Sequence, residues 1–447
     1  MRRMIKLFNY QIEGVKFLES KRFAMLADEM GLGKTAQTIH AALSLKSKRI
    51  LVICPAVALY NWQKEFRSFG NIDSEVFEPG SVPRRTDYHN QVLITSFDRL
   101  SLYLDKFTRR SWDVVIVDEA HFLKTPTAKR TLAILGKLGV LHYTKRMWAL
   151  TGTPAPNHAG ELWTWLFTFG YTKLSYEGFI ARYCNAHHIG GNRYSRVQIT
   201  GSNTKHTPEL KTILKKFVLR RLKKDVLKQL PPIWHQVHYI KPRYNEIDGD
   251  LKTKLTQEWA KLSQQIDFDH IPNDDKLLSA LQAASQSLSS LRRYHGITKV
   301  DQTAELIDGE LKNEQYDKLV VFGVHTDVIE GLMRRLNSRY KSVVITGATP
   351  PKQRQEAVDR FQNDPECKLF YGNIQAAGTA VTLTASHNVL FIEQDWVPGS
   401  NAQAAMRCHR IGQERPVTVR HVCIADSLDA KITGTLMRKT QELSTFI

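Results

Sequence analysis

Short β-branched and aromatic runs, each closed by a turn residue and followed by helical periodicity, constrain this chain more tightly than any other feature. RFAMLA (22–27), RILVICP (49–55), QVLITS (91–96), DVVIVDEA (113–120) and MWALTGTP (147–154) set the rhythm in the first third. Apolar runs of about four to eight residues alternating with helices read as strands buried on both faces of a parallel sheet. The rhythm stops near Pro156, and from there to about Val300 amphipathic stretches read as helical, among them TPELKTILKKFVLRRLKKDVLKQLPP (207–232) and DDKLLSALQAASQSLSSLRRY (274–294). It resumes with KLVVFG (318–323), KSVVITG (341–347), CKLFYG (367–372), NVLFIEQD (388–395) and VTVRHVCIA (417–425). A chain of 447 residues is too long for one ordinary core and suits two domains. The expected fold class is α/β, with two lobes built on parallel sheets. The first covers residues 1–230 with a helical insertion at about 158–225, the second 231–447 with one at about 245–300, and the hinge lies near Pro231 and Pro232.

Charge narrows the partners. The 63 Lys and Arg against 44 Asp and Glu leave a net charge of +19, an excess that favours a polyanion, most often nucleic acid, although a merely soluble basic protein carries the same signal. No run approaches the ~20 apolar residues of a membrane span, and the start MRRMIKLFNYQ lacks the apolar segment of a signal peptide. The chain is therefore expected to stay where it is made, the cytoplasm of a bacterium or phage-infected cell, with the nucleus as the alternative and without a membrane partner. Cys54, Cys184, Cys367, Cys408 and Cys423 are odd in number and widely spaced, which suits neither a disulfide framework nor a zinc site.

Four stretches carry chemistry. LADEMGLGKT (26–35) follows a strand and opens a helix, the context of a phosphate-binding loop, although Asp28 stands where that pattern has its first glycine. Gly31 and Gly33 let successive N–H groups face phosphate oxygens, Lys34 reaches the β and γ phosphates of ATP, and the Thr35 hydroxyl holds Mg²⁺. DEAH (118–121) ends a buried strand: Asp118 suits Mg²⁺, and Glu119 suits orienting or deprotonating the attacking water. LTGTP (150–154) ends another, where Thr151 and Thr153, with His121, are placed to couple hydrolysis to the rest of the molecule. In NAQAAMRCHRIGQ (401–413), Gln403, Arg407 and Arg410 fall on one face if the segment is helical, and the arginines suit fingers for the transition-state charge, with a solvated basic helix as the bland alternative. In LFNYQIEGVKFL (7–18), the Gln11 amide is able to pair with an adenine edge.

In this order the motifs resemble the superfamily 2 helicase-like ATPases, and within them the SNF2 family, over roughly residues 5 to 435. DEMGLGKT, DEAH, LTGTP, FVLRRLKKDVLKQLPP and DWVPGSNAQAAMRCHRIGQ carry the likeness. The family also commonly has an acid at the position of Asp28. The resemblance implies two RecA-like lobes, ATP and Mg²⁺ as cofactors, and nucleotide contacts from Gln11, Asp28, Gly31, Gly33, Lys34, Thr35 and Gly378. DEAHFLK (118–124), FIARYCNAHH (179–188) and LRRYHGITKV (291–300) are similar to the annealing-helicase branch of fork-remodelling enzymes. Two departures stand out: Ala380 occupies the place of a usual glycine, and Val397 that of the asparagine in the family's DWNP. The likeness begins almost at Gln11, so the front modules of eukaryotic members are expected to be absent.

The family pattern places backbone contacts to DNA at Pro55, Ala56, Trp62, Thr95 and Ser96 in the first lobe, and at Thr346, Gly347 and Trp396 in the second. Packing is an equal alternative for both tryptophans. Hydroxyl and N–H groups bind phosphates without reading sequence, so recognition is expected to rest on DNA shape. Lys215, Lys216, Arg220, Arg221, Lys223 and Lys224 either line the duplex path or, for Arg220 and Arg221 above all, brace the lobes. The leading expectation is a monomeric DNA-dependent ATPase and helicase that remodels branched or forked DNA, without an obligate protein partner. Its rivals are a duplex translocase that displaces bound proteins and a non-catalytic scaffold.

Overall fold

The computed structural model describes residues 7–78, 92–155, 158–189, 196–241, 249–265, 285–378, 381–395, 397–425, 429–430 and 433–435. Two compact units divide the chain at Met1–Gln229 and Leu230–Ile447.

Unit 1 is built on β1 (Phe23–Leu26), β2 (Ile50–Cys54), β3 (Ser74–Val76), β4 (Val92–Ser96), β5 (Trp112–Val117), β6 (Thr144–Leu150) and a late strand. Between β6 and that strand come β7 (Cys184–Ile189) and β8 (Arg196–Ser202); the late strand is β9 (Val218–Leu219). Among the described residues the main sheet runs β3-β4-β2-β5-β6-β1-β9 with every pairing parallel. β2 and β4 are buried along their whole length, as strands covered by helices on both faces must be. Trp112, Trp148 and Trp165 are buried with them.

Unit 2 contributes β10 (Ile233–Ile240), β11 (Leu319–Gly323), β12 (Lys341–Ile345), β13 (Cys367–Asn373), β14 (Asn388–Phe391) and β15 (Val417–Ile424). They form an all-parallel sheet in the order β10-β15-β14-β11-β13-β12. The expected α/β class with two parallel-sheet lobes therefore holds. No described helix is long and apolar enough to cross a membrane, and all five cysteines are buried free thiols.

The middle of the chain differs from its helical reading. The first insertion has helices at Trp163–Thr168, Tyr176–Tyr183 and Thr207–Leu214, but it also contains the antiparallel pair β7 and β8. The stretch 207–232 is not one helix: it breaks after Leu214, and Val218 and Leu219 pair with Met25 and Leu26. Val218 and Leu219 gain more from a ladder at the sheet edge than the flanking lysines gain from helical continuity. β10 also lies inside the supposed helical zone; its alternating Ile233, His235 and Val237 are the signal. In the second insertion, helices cover Gly249–Gln265 and Ser285–Thr298, and the start of the predicted helix 274–294 lies outside the described residues.

Candidate active site

Three neighbouring strands bring the motifs of unit 1 together. Leu26 of β1 pairs with Leu150 of β6, and Ala149 with Val117 of β5, so 27–35, 118–121 and 151–154 leave the sheet side by side at its carboxyl edge. This is where open parallel sheets hold ligands. The loop after β1 turns through Gly31 at φ 85° and Gly33 at φ 71°, left-handed values that favour glycine. Gly33 then caps α2 (Lys34–Ser44), after α1 (Asn9–Ser20), leaving the first helical N–H groups for an anion. Lys34 Nζ donates to the carbonyls of Asp28 at 2.8 Å and Glu29 at 3.4 Å. Thr35 is half-buried at the helix start.

Asp28 is corrected from a nucleotide contact to an anchor. Its carboxylate is fully buried, accepts Arg221 Nε at 3.0 Å and Nη2 at 2.6 Å, and takes Gln37 Nε2 at 3.1 Å. A side chain so held fixes the start of the loop where a glycine turn usually does. Gln11 lies beside the loop, donating to the Leu32 carbonyl at 3.2 Å and accepting Phe8 N–H at 3.0 Å. Tyr10 donates to the same carbonyl at 3.2 Å.

Asp118 Oδ2 accepts the indole N–H of Trp62 at 2.9 Å, and Oδ1 the Glu119 N–H at 2.9 Å. Burial and the Glu119 charge raise its pKa to about 6, against the pull of those two donors and of the Lys34 ammonium. Glu119 has a left-handed backbone, φ 48°, which turns the chain sharply after the strand. Its Oε2 is 3.3 Å from His121 Nδ1, the same nitrogen is 3.3 Å from Thr151 Oγ1, and that hydroxyl accepts Thr153 N–H at 3.1 Å. The structure thus joins Glu119, His121, Thr151 and Thr153 in one line. The Thr151–Thr153 turn also meets the phosphate loop closely, since a Cβ on Gly152 would lie 2.6 Å from Met30 Cγ.

The donor set fits magnesium. Asp118 and Thr35 offer only oxygen, and Asp118 lies within electrostatic reach of Lys34. No group of three or more His, Cys, Asp or Glu among the described residues could hold a metal by itself, so phosphate oxygens and water would complete the shell.

Several residues assigned to DNA prove to be internal. Trp62, on α3 (Leu59–Glu65), is 1% exposed and bound to Asp118. Thr95 and Ser96 are buried; Ser96 caps the helix Phe97–Leu102 through Arg99 N–H, and the Thr95 hydroxyl has no hydrogen-bond partner. Arg220 donates to the Ala27 and Gly152 carbonyls, both at 3.1 Å, and Arg221 binds Asp28. Packing for Trp62 and a brace for Arg220 and Arg221 were open alternatives in the sequence, but not their partners, which lie 56 to 193 positions away. Ala56 is exposed beside half-buried Pro55, Gly347 is exposed beside half-buried Thr346, and Trp396 lies outside the described residues. Of the basic cluster, Lys223 is buried, while Lys215, Lys216 and Lys224 stay exposed.

In unit 2 the helix bearing Gln403 is Pro398–Ala405, so Arg407 and Arg410 stand in the turns beyond it and not on one helical face. Buried Arg407 donates through Nε to the Gly378 carbonyl at 2.8 Å, and half-buried Arg410 donates to Thr382 Oγ1 at 2.9 Å. Gly378 is corrected toward packing: a Cβ there would lie 2.2 Å from the Ile374 carbonyl oxygen.

Comparison with known proteins bears on the family. The SNF2-related domain matches residues 10–282, and the helicase conserved C-terminal domain residues 298–412. The DNA annealing helicase and endonuclease ZRANB3 of Bos taurus is 30% identical over 98% of this chain and 40% of that protein. A Caenorhabditis elegans homologue of SWI/SNF-related matrix-associated actin-dependent regulator of chromatin subfamily A-like protein 1 is 29% identical over 98% of this chain and 61% of its own length. The chain thus spans between 40% and 61% of these two relatives. The Sulfolobus solfataricus SWI2/SNF2 ATPase core in complex with dsDNA is 24% identical, covering 99% of this chain and 93% of that one, with a TM-score of 0.45.

Proposed function

The chain belongs to the SNF2-related family, and from that membership we propose that it is a DNA-dependent ATPase and helicase that remodels branched DNA by fork regression, branch migration or limited unwinding. The observation that carries the reading is the convergence of Lys34, Asp118, Glu119, His121 and Thr151 at one edge of the unit 1 sheet. The preference for branched DNA is supported by the likeness to a relative named as an annealing helicase.

In this reading the glycine turns and the start of α2 cradle the phosphates, and Lys34 leaves its loop carbonyls for a phosphate oxygen. Asp118 and Thr35 would hold Mg²⁺, which would supply charge neutralisation at the phosphates. Glu119 orients the attacking water and takes its proton, and His121 passes its position to Thr151. Exposed Ala56 and Gly347, with Pro55, Thr346 and Trp396, are the proposed backbone contacts.

The test compares ATP turnover with forked, linear duplex and single-stranded DNA, for wild type and Glu119→Gln. The fork should stimulate most, and Glu119→Gln should bind ATP normally while losing roughly a hundredfold or more in turnover. Equal stimulation by linear duplex would sink the branch preference and favour a protein-displacing translocase. Unaltered turnover in Lys34→Ala would remove the ATP mechanism.

A further inference from the structure

Arg220 and Arg221, adjacent on the segment that follows β9, face opposite parts of the site. Arg221 holds Asp28 with a two-pronged contact at 3.0 and 2.6 Å, donates to Gln37 Oε1 at 2.8 Å, and also binds the Tyr10 carbonyl. Arg220 Nη1 bridges the Ala27 carbonyl at the end of β1 and the Gly152 carbonyl after β6, both at 3.1 Å. Backbone contacts join the same pieces. Ala27 N–H donates to the Leu219 carbonyl at 2.7 Å, Glu29 N–H to the Arg221 carbonyl at 2.9 Å, and Lys223 N–H to the Glu29 carboxylate at 2.7 Å.

We propose that Arg220 and Arg221 are positioning residues of the ATP site, fixing the phosphate loop against the Thr151–Thr153 turn and relaying phosphate occupancy to the segment that leaves unit 1. The inference rests on the ATP reading above. Its chemistry is local. The carbonyls that accept Lys34 Nζ belong to Asp28 and Glu29, the same two residues gripped by Arg221 and by the backbone of 221–223. A phosphate that draws the ammonium away leaves those carbonyls without that donor, and the adjustment passes first into 221–223, shortly before the unit boundary after Gln229. Arg220 sets the distance between the loop that binds phosphate and the turn that supports His121, so hydrolysis depends on it more than binding does. A lysine in place of Arg221 keeps the charge but loses the planar fork that matches a carboxylate.

The test uses the full chain and four variants: Arg220→Gln, Arg221→Gln, Arg221→Lys and the double variant Asp28→Asn with Arg221→Gln. Five quantities are measured: affinity for a fluorescent ADP, kcat and KM for ATP with and without DNA, melting midpoint, and DNA affinity without nucleotide. Arg221→Gln should raise ADP Kd and ATP KM about tenfold, and Arg221→Lys should recover less than half of that loss. The double variant, with neither charge left buried alone, should regain the melting midpoint but not the ADP affinity. Arg220→Gln should lower kcat about tenfold at unchanged ADP affinity. DNA affinity without nucleotide should stay at the wild-type level throughout. If the double variant regains both melting and ADP affinity, the pair is only a brace and the inference falls. If DNA affinity drops while nucleotide binding and KM stay constant, the arginines are DNA contacts and it falls equally. Failure of wild type to bind ADP overturns the ATP reading itself.

Discussion

Trp62 spends its single N–H on Asp118 Oδ2 while its ring is 1% exposed. Phenylalanine would fill nearly the same space without the donor, and losing one hydrogen bond to a charged group costs about 1–3 kcal/mol. Trp62→Phe should therefore keep the fold and the ATP KM but lower kcat by roughly tenfold or more, as steady-state assays beside a thermal melt will report. At this scale the readable residues were those whose chemistry requires contiguity: Gly31, Gly33, Lys34 and Thr35 in one turn, or Asp118, Glu119 and His121 at one strand end. The partners that hold them were not readable. Trp62 meets Asp118 across 56 positions and Arg221 meets Asp28 across 193, and no spacing rule connects residues so distant. The glycine missing at Asp28 was the visible trace of that distant contact.

Strands buried on both faces announce themselves as solid apolar runs, and β2, β4 and β11 were legible for that reason. β3 and β9 are too short to form a run, and β10 largely alternates half-buried with exposed positions inside a stretch dominated by helical signals. β10 and β15 also carry a pair of imidazoles. His235 Nδ1 lies 3.4 Å from His421 Nε2, and His421 stacks on Phe391 of β14. Burial, with His235 adding to it, pushes His421 down to about 3, and burial lowers His235 as well. The unfolded chain takes up protons near pH 6.5 while the folded pair does not, so this stability is full above that pH and is lost as pH falls toward 3. At pH 5 the loss from His421 alone is about 2 kcal/mol. Calorimetric melting of unit 2 between pH 8 and pH 5 should show the decline, and His421→Phe should flatten it.

Across the whole molecule, the net charge of +19 lies in unit 1, where 37 Lys and Arg stand against 18 Asp and Glu, while unit 2 has 26 of each; each unit has its own parallel sheet. Exposed Lys215, Lys216 and Lys224 remain available for phosphates after Arg220, Arg221 and Lys223 are committed inside unit 1. If about six phosphates are contacted, DNA affinity should fall by roughly a thousandfold between ~50 and ~200 mM salt, whereas ADP affinity should change far less. Anisotropy titrations at several salt concentrations give both slopes. The pairing of β9 with β1 has a further consequence, which concerns time. The first strand of unit 1 to leave a ribosome finds its edge neighbour only after the insertion has followed it. With 193 positions between Asp28 and Arg221, synthesis at ~5–20 residues per second leaves that carboxylate without its counter-ion for about ten to forty seconds. During that interval the nascent chain carries every residue of a phosphate loop but not the arginine that holds it in shape.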